Sequence, residues 1–526
     1  MKKSKHRPKK SPTTKTTKTK LATGALEMVR QYVRLVKEAG GRSPSLAALA
    51  PYRNTVRYHF GTREALDAFA REKHRSTFKD VPVTDISISN PTRKTVLITS
   101  LVIGKTAHPG FLACLQRTTV RKKADLILLP TADPASRHTP NGVGRLDKTL
   151  ADSGAHVIHG RDFALNDNLQ ILGIEITAKQ LLPLTGLRRL GQRGHSAIVA
   201  APKLFLDLVA TPEQLPHALM TTGACTMPDY ETDKHASLRT AYLAAQDHEY
   251  AALIVEIESN KRFHFRQLQY NPTADNLIDL GVSDTGEKIS PQAVHLGDWH
   301  SGETAPENFE FARKNPFGAR EVYLHDSFNG LSINHHDPVL QRKLRTLTLE
   351  DELQGWVADM RMFLRTYEKA YIVQSNHDEW LTHWIDYGTW RTDDRNFMIG
   401  HKLETLRIAN PGTTVLELYA RTQKLGKNLE FIGPNHAKRI GPVAMPYHGH
   451  VGPNGLRKPS VRAFEESVGP CNLGHIHTPA IWRNVWRAGT STHLKLGYND
   501  GPSSWLWSHI LVYPDGRRQL YNIIPK

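Results

Sequence analysis

Five short apolar runs in the second half of this chain each stop at residues able to bind a metal ion. They are AVHLGDWHSG (293–302), EVYLHDSFNG (321–330), AYIVQSNHDEW (370–380), PVAMPYHGHVGPNG (442–455) and NLGHIHTP (472–479). Each run has the length of a strand. Strand side chains alternate with period two, so Asp298 and His300 are expected to point to one side of a strand end. In a layered α/β sheet such ends converge along one edge, where sites are usually built. Taken singly, each motif is more often a surface turn or a satisfied polar pair. Five in order, each after an apolar run, constrain the fold to one that brings strand ends together. The runs offer Asp298 and His300, Asp326, Asn376 with His377 and Asp378, His448 and His450, and His475 and His477, a mixed oxygen and nitrogen set without cysteine. Such a set suits two moderately hard divalent ions, Mn²⁺ first, then Zn²⁺, Fe²⁺ or Mg²⁺. His448, the first histidine after its run, is preferred to His450, and the His335, His336, Asp337 cluster is read as a surface loop.

The rest of the chain divides by composition. At 526 residues it exceeds one ordinary core, and about three domains are expected. Residues 1–20, MKKSKHRPKKSPTTKTTKTK, carry nothing to build a core from and read as a disordered basic arm. Residues 21–80 alternate short amphipathic helices with turns. RNTVRYHFGTREAL has the look of the recognition end of a helix-turn-helix, which would offer Arg53, Asn54, Thr55, Arg57, Tyr58 and His59 to DNA. Residues 90–285 hold β-branched runs such as TVLITSLVIG, ADLILLP and AALIVEIE between helix-compatible stretches, an α/β domain of unassigned role. The glycine loops TTGACTMPDY and GQRGHS lack phosphate-loop spacing and read as ordinary turns. Residues 286–526 form the domain with the ligand-bearing runs. Within them, TLTLEDELQGWVADMRMFLRTYEKA (346–370) is the clearest helix.

Charge is concentrated at the front. Residues 1–80 hold 20 Lys and Arg against 6 Asp and Glu, which accounts for +14 of the formal +18. A cationic end of this kind is a footprint for a polyanion, DNA foremost, with an acidic membrane surface the competing reading. The longest apolar stretch, HSAIVAAPKLFLDLVA, is broken by Pro202, Lys203 and Asp207, so no membrane span is expected. Three scattered cysteines and the lack of an apolar leader segment fit a cytoplasmic protein. A homo-oligomer is compatible with all of this.

The order of the five motifs resembles the calcineurin-like metallophosphoesterase superfamily, whose pattern is DxH, GDxx[DN], GNH[DE], a lone His and GHxH. Here it reads GDWH, HDSFN, SNHD, YHGH and GHIH, over about residues 290–480. The resemblance implies a β-sandwich flanked by helices. It places one metal on Asp298, His300, Asp326 and His477, and a second on Asp326, Asn376, His448 and His475. It makes His377 a catalytic residue near the leaving group, as general acid or phosphate-oxygen donor, oriented by Asp378. His325 and Ser375 stand where the family has glycine, and Asn329 where Asp is more frequent. The middle segment, with TVLITS, GFLACL, TTGACTMPDY and FHFRQL, also looks like long phage proteins related to the pre-early DNA-degradation protein of T5-type bacteriophages. Two cations sharing a carboxylate polarise a phosphoryl oxygen and lower the pKa of water between them. The expectation is therefore a metal-dependent DNA nuclease in the host cytoplasm. The alternatives are a phosphomonoesterase acting on nucleotides or phosphoproteins, and a DNA-binding or DNA-transfer protein with a weakly active metal site.

Overall fold

The structure is a computed structural model that describes residues 78–82, 93–133, 143–174, 176–192, 194–212, 215–230, 238–334 and 345–525. The basic arm, the helix-turn-helix with Arg53 to His59, and the His335, His336, Asp337 cluster lie outside the described residues. Lys79–Lys526 form one compact unit of mixed α/β structure with several sheets.

A six-stranded sheet carries the first three motifs. Strands Ala293–His295, Glu321–Leu324, Lys369–Val373 and Leu429–Ile432 run parallel, side by side, and Ser508–Val512 and Arg518–Asn522 extend the sheet antiparallel beyond Ala293–His295. Alternation sorts its side chains. Val294, Val322, Leu324, Ala370 and Ile372 pack on the helix side with Trp356, Met360 and Phe363. Ala293, Tyr323, Tyr371 and Val373 face the other way into a core shared with the second sheet. The helix read from 346–370 is Leu349–Thr366, started by a capping box in which the Thr348 side chain accepts from Asp351 N and the Asp351 carboxylate accepts from Thr348 N.

The second sheet has ten strands and joins the two segments on either side of residue 286. Its one half holds Arg439–Ile440, Val443–Ala444, Cys471–Leu473, Val485–Arg487 and Ala480–Trp482. Its other half holds Phe205–Val209, His217–Thr221, Ser196–Val199, Leu169–Ile171 and Phe163–Asn166. The join is the antiparallel pairing of Ile481 with Leu206 and of Trp482 with Phe205. A third, five-stranded sheet contains Phe263–Gln269, Ala251–Ile257, Thr95–Val102, Asp125–Thr131 and His156–Val157. Its residues Val96, Ile98, Ile127 and Leu253 enter the same core as Leu206, Tyr371 and Trp486. The boundary expected near residue 286 is thus crossed by a continuous sheet and a continuous core. Burying both faces of the Phe205–Val209 strand needs partners from both segments.

The five- and six-stranded sheets also meet through side chains. Asn522 Nδ2 donates to Phe265 O (3.4 Å), and Gln519 Nε2 donates to Gln267 O (3.3 Å) and to Asp279 Oδ1 (3.2 Å). Buried Asp279 also accepts from Arg266 Nη2 at 2.9 Å and pairs with Lys122. Burial alone would raise its carboxyl, but hydrogen bonds and charge from Arg266, then Lys122, bring it down to about 2. A depressed carboxyl stabilises the fold fully above its unfolded value, roughly 4, and loses that contribution as pH falls through about 2. Asp279→Ala leaves the buried Arg266 guanidinium short of a partner. It should cost about 3 kcal/mol in urea denaturation at neutral pH, with the difference from wild type shrinking in acid.

Candidate metal centre

The parallel strands of the six-stranded sheet stop short of the ligands. Ala293–His295 ends three residues before Asp298, and Glu321–Leu324 ends two before Asp326. The expected strand-end alternation of Asp298 and His300 is replaced by a loop, because the backbone at His300 turns left-handed (φ 47°). Asp326, His475 and His477 take the same region, with φ of 42°, 75° and 59°. Left-handed backbone at four non-glycine residues is strained, and strain of this kind persists where the surroundings over-determine it. The turns bring His300 and His477 to one side of Asp326 and His475 to a second group that also contains it. Close approach also explains two glycines. A Cβ on Gly474 would lie 2.3 Å from Asp298 Oδ1, and one on Gly297 would lie 2.7 Å from the Thr490 carbonyl carbon.

Three overlapping donor groups result; Asp326 belongs to two of them, and the third is Asp298, His325 and His448. Asp298, His300, Asp326 and His477 offer ligand atoms within 4.8 Å of one another, and so do Asp326, His448 and His475. His477 Nε2 lies 3.2 Å from Asp298 Oδ2 and 3.2 Å from His300 Nε2. His448 Nε2 lies 3.2 Å from Asp326 Oδ2 and 3.0 Å from Asn376 Oδ1, so Asn376 joins the second group. The seven residues named from sequence are therefore brought together. His450 sits beside them but faces Glu379, Nε2 to Oε1 3.1 Å.

The donor set fits a divalent cation. Asp298 and Asp326 are wholly buried, and the Oδ1 of each has no hydrogen-bond partner among the described residues. Orphaned buried carboxylate oxygens are rare and ask for a counter-charge. His300 and His475 are held in the neutral form that binds metal. Burial, and then the neighbouring His377, push His300 down to about 3, while burial and His448 push His475 to about 4. Burial works against ionising Asp298 and Asp326, yet hydrogen bonds and charge from His477 and His448 keep both below the usual carboxylate range. His448 alone goes up, to about 9: burial would lower it, but the charge and hydrogen bond of Asp326 outweigh that. A cation taking that place would displace the proton.

His377 and Asp378 separate in role. His377 hydrogen-bonds through Nδ1 to Asn329 O, and its ring lies 4.5 Å from that of His300. Asp378 does not orient it. Its carboxylate accepts from Ser375 N (3.2 Å) in the capping box that starts helix Asn376–Asp386. Ser375 in place of glycine is explained by the same cap, since its hydroxyl accepts from Asp378 N. Burial, then the charge of Asp326, raise Asp378 to about 7. Asn329 Oδ1 lies 3.3 Å from His300 Nδ1, which leaves His300 Nε2 for the cluster.

Sequence reading missed His325. It is wholly buried, its Nδ1 lies 3.3 Å from His448 Nδ1, and its ring lies 4.0 Å from that of His295. The HD dipeptide at 325–326 was the available signal. Behind the site, Trp299 Nε1 (2.9 Å) and Ser301 Oγ (2.7 Å) donate to Asp359 of helix Leu349–Thr366 and anchor the Asp298–His300 loop.

No family model matches this chain, and no solved structure matches it. It is similar to Protein A1 of Escherichia phage T5, with 26% identity over 465 residues covering 81% of each chain. No helix among the described residues is long and apolar enough to cross a membrane.

A divalent cation that binds here stabilises the folded chain by mass action. Scanning calorimetry should show the melting temperature rising with added Mn²⁺ for wild type and for His450→Ala. Asp326→Asn, which removes the shared charge, should abolish the rise.

Proposed function

We propose that this chain is a phage protein that degrades host DNA by hydrolysing its phosphodiester bonds with two divalent metal ions. The observation that carries it is the shared carboxylate. Asp326 lies in the group with Asp298, His300 and His477 and in the group with His448 and His475, so two cations bound in these two groups would share one ligand. Such a pair supplies Lewis acidity for a phosphoryl oxygen and lowers the pKa of water, which is the chemistry of phosphoester hydrolysis. Two facing sheets with the ligands on loops at one end support a calcineurin-like layering.

This chain's residues supply the rest. Asp298, His300 and His477 on one side, and Asn376, His448 and His475 on the other, fix where phosphate can sit. His377 donates Nδ1–H to the Asn329 carbonyl, which fixes the ring and leaves Nε2 to carry a proton to the leaving oxygen. Burial favours the neutral ring, and the negative charge of a bound phosphate would favour the protonated form that a general acid needs. Asp378 keeps Asn376 and His377 in place by starting their helix.

DNA is favoured over small esters by the N-terminal charge. The +14 carried by residues 1–80 would raise the local concentration of a polyanion, at the cost of steep salt dependence. Similarity to Protein A1 over four fifths of both chains supports a phage setting.

With Mn²⁺, wild type should degrade linear and closed-circular DNA, and EDTA should stop it. His377→Ala should lower the rate by roughly 10²- to 10⁴-fold. Intact DNA alongside a hydrolysed phosphomonoester would overturn the nuclease reading in favour of a phosphatase.

A further inference from the structure

A row of six rings crosses the metal centre. From one end it runs Trp380, His377, His300, His477, Trp505 and Tyr498. Successive centroids are 4.0, 4.5, 5.2, 4.2 and 5.8 Å apart. The middle rings belong to the centre itself. The far end does not: Trp505 is half-buried, Tyr498 is 69% exposed, and the neighbouring Ile476, between two ligands, is 45% exposed. None of these three residues is needed to bind metal or to fill the core.

The loop that carries Tyr498 is fixed rather than loose. His493 N donates to Glu303 O at 3.0 Å, next to the Asp298–His300 loop. Asn499 closes the turn, accepting from Leu496 N (2.9 Å) and donating to Leu494 O (2.8 Å). At its other end Ser504 Oγ lies 2.8 Å from Thr478 Oγ1, directly after His477. Both ends are thus tied to ligand-bearing segments. An aromatic side chain held in the open beside a phosphate site has one evident use, stacking on a base.

We infer that Tyr498 and Trp505, with Ile476, form a stacking platform for the base next to the scissile phosphate, and that the preferred substrate is DNA with unpaired nucleotides. This rests on the phosphodiesterase reading above. In a duplex both faces of each base are covered by its neighbours, and none is offered to a protein ring. A single strand, a frayed end or a bulge exposes one. Trp505 touches the ligand His477, and Tyr498 lies one ring further out, about the reach from a phosphate to its own base. Stacking reads no sequence, so the preference is for strandedness alone.

The test compares wild type, Tyr498→Ala, Tyr498→Phe and Tyr387→Ala on oligothymidylate and on a relaxed closed-circular duplex, which has neither a loop nor a frayed end, in Mn²⁺. Tyr387 is 80% exposed at the end of helix Asn376–Asp386, and its substitution controls for loss of any surface aromatic. The basic arm contributes to both substrates and cancels in their ratio. Tyr498→Ala should lower kcat/KM on the single strand roughly 5- to 150-fold, mainly through KM, and change the duplex much less. Tyr498→Phe should restore it, because stacking needs the ring and not the hydroxyl. Anisotropy of a labelled short oligothymidylate in EDTA should show the same order of affinities without turnover. Equal losses on both substrates, or no loss at all, would overturn the platform while leaving the nuclease reading intact. A wild type inert on every phosphodiester, whose oligothymidylate affinity in EDTA is unchanged by Tyr498→Ala, would overturn both.

Discussion

Two buried carboxylates and four histidines around one point are the arrangement on which the rest of the fold depends. Left alone they repel one another and bury charge that water would otherwise solvate, which is costly in a low-dielectric interior. Asp326 and Asp298 remain ionised because His448 and His477 lie 3.2 Å away, each on a loop from the opposite sheet. The cluster therefore bonds one sheet to the other at their ends. Four of its members also hold left-handed backbone, a conformation an unsupported loop would relax. Something rigid has to hold those loops.

The sheets supply that rigidity, and the middle segment is part of the supply. The strand Cys471–Leu473 leads into His475 and His477, and it pairs with Val485–Arg487, which pairs with Ala480–Trp482. That last strand is held in turn by Phe205–Val209. Without the earlier segment, the ligand-bearing half of the ten-stranded sheet would end in an open edge with Trp482 and Ile481 unpaired. An open apolar edge is unstable and prone to wrong pairing. A role for the α/β segment in holding the metal centre is thus visible in the topology, whatever else that segment does.

The site was far more legible than the architecture. Each ligand lies within a short contiguous motif, and an apolar run followed by Asp or His is a local signal. Asp298, His300, Asp326, Asn376, His448, His475 and His477 could therefore be named without knowing the path of the chain between them. The union of residues 90–285 with 286–526 had no such signal, because the pairing of Ile481 with Leu206 joins residues far apart in the sequence. Backbone handedness was equally hidden. Nothing in GDWH marks His300 as left-handed, so strand alternation was the wrong rule for it. Asp378 shows a third kind of limit: Ser375-Asn376-His377-Asp378 has the spacing of a capping box as well as of a catalytic pair. Position three of a new helix decides between them, and the carboxylate caps.

His325 is packed into the donor cluster rather than turned away from it. A glycine there would leave space beside His448. The imidazole instead fills it, its Nδ1 3.3 Å from His448 Nδ1 and its ring 4.0 Å from His295. Two Nδ1 atoms at that distance need one proton between them, which fixes the tautomer of one ring and turns His448 Nε2 toward Asp326 and Asn376. Asn329 does the same for two rings at once, its carbonyl taking His377 and its side chain facing His300. In both places the outer partner sets which nitrogen of a histidine is presented. Where the motif departs from the expected letters, the orientation of the ligands is preserved by different atoms.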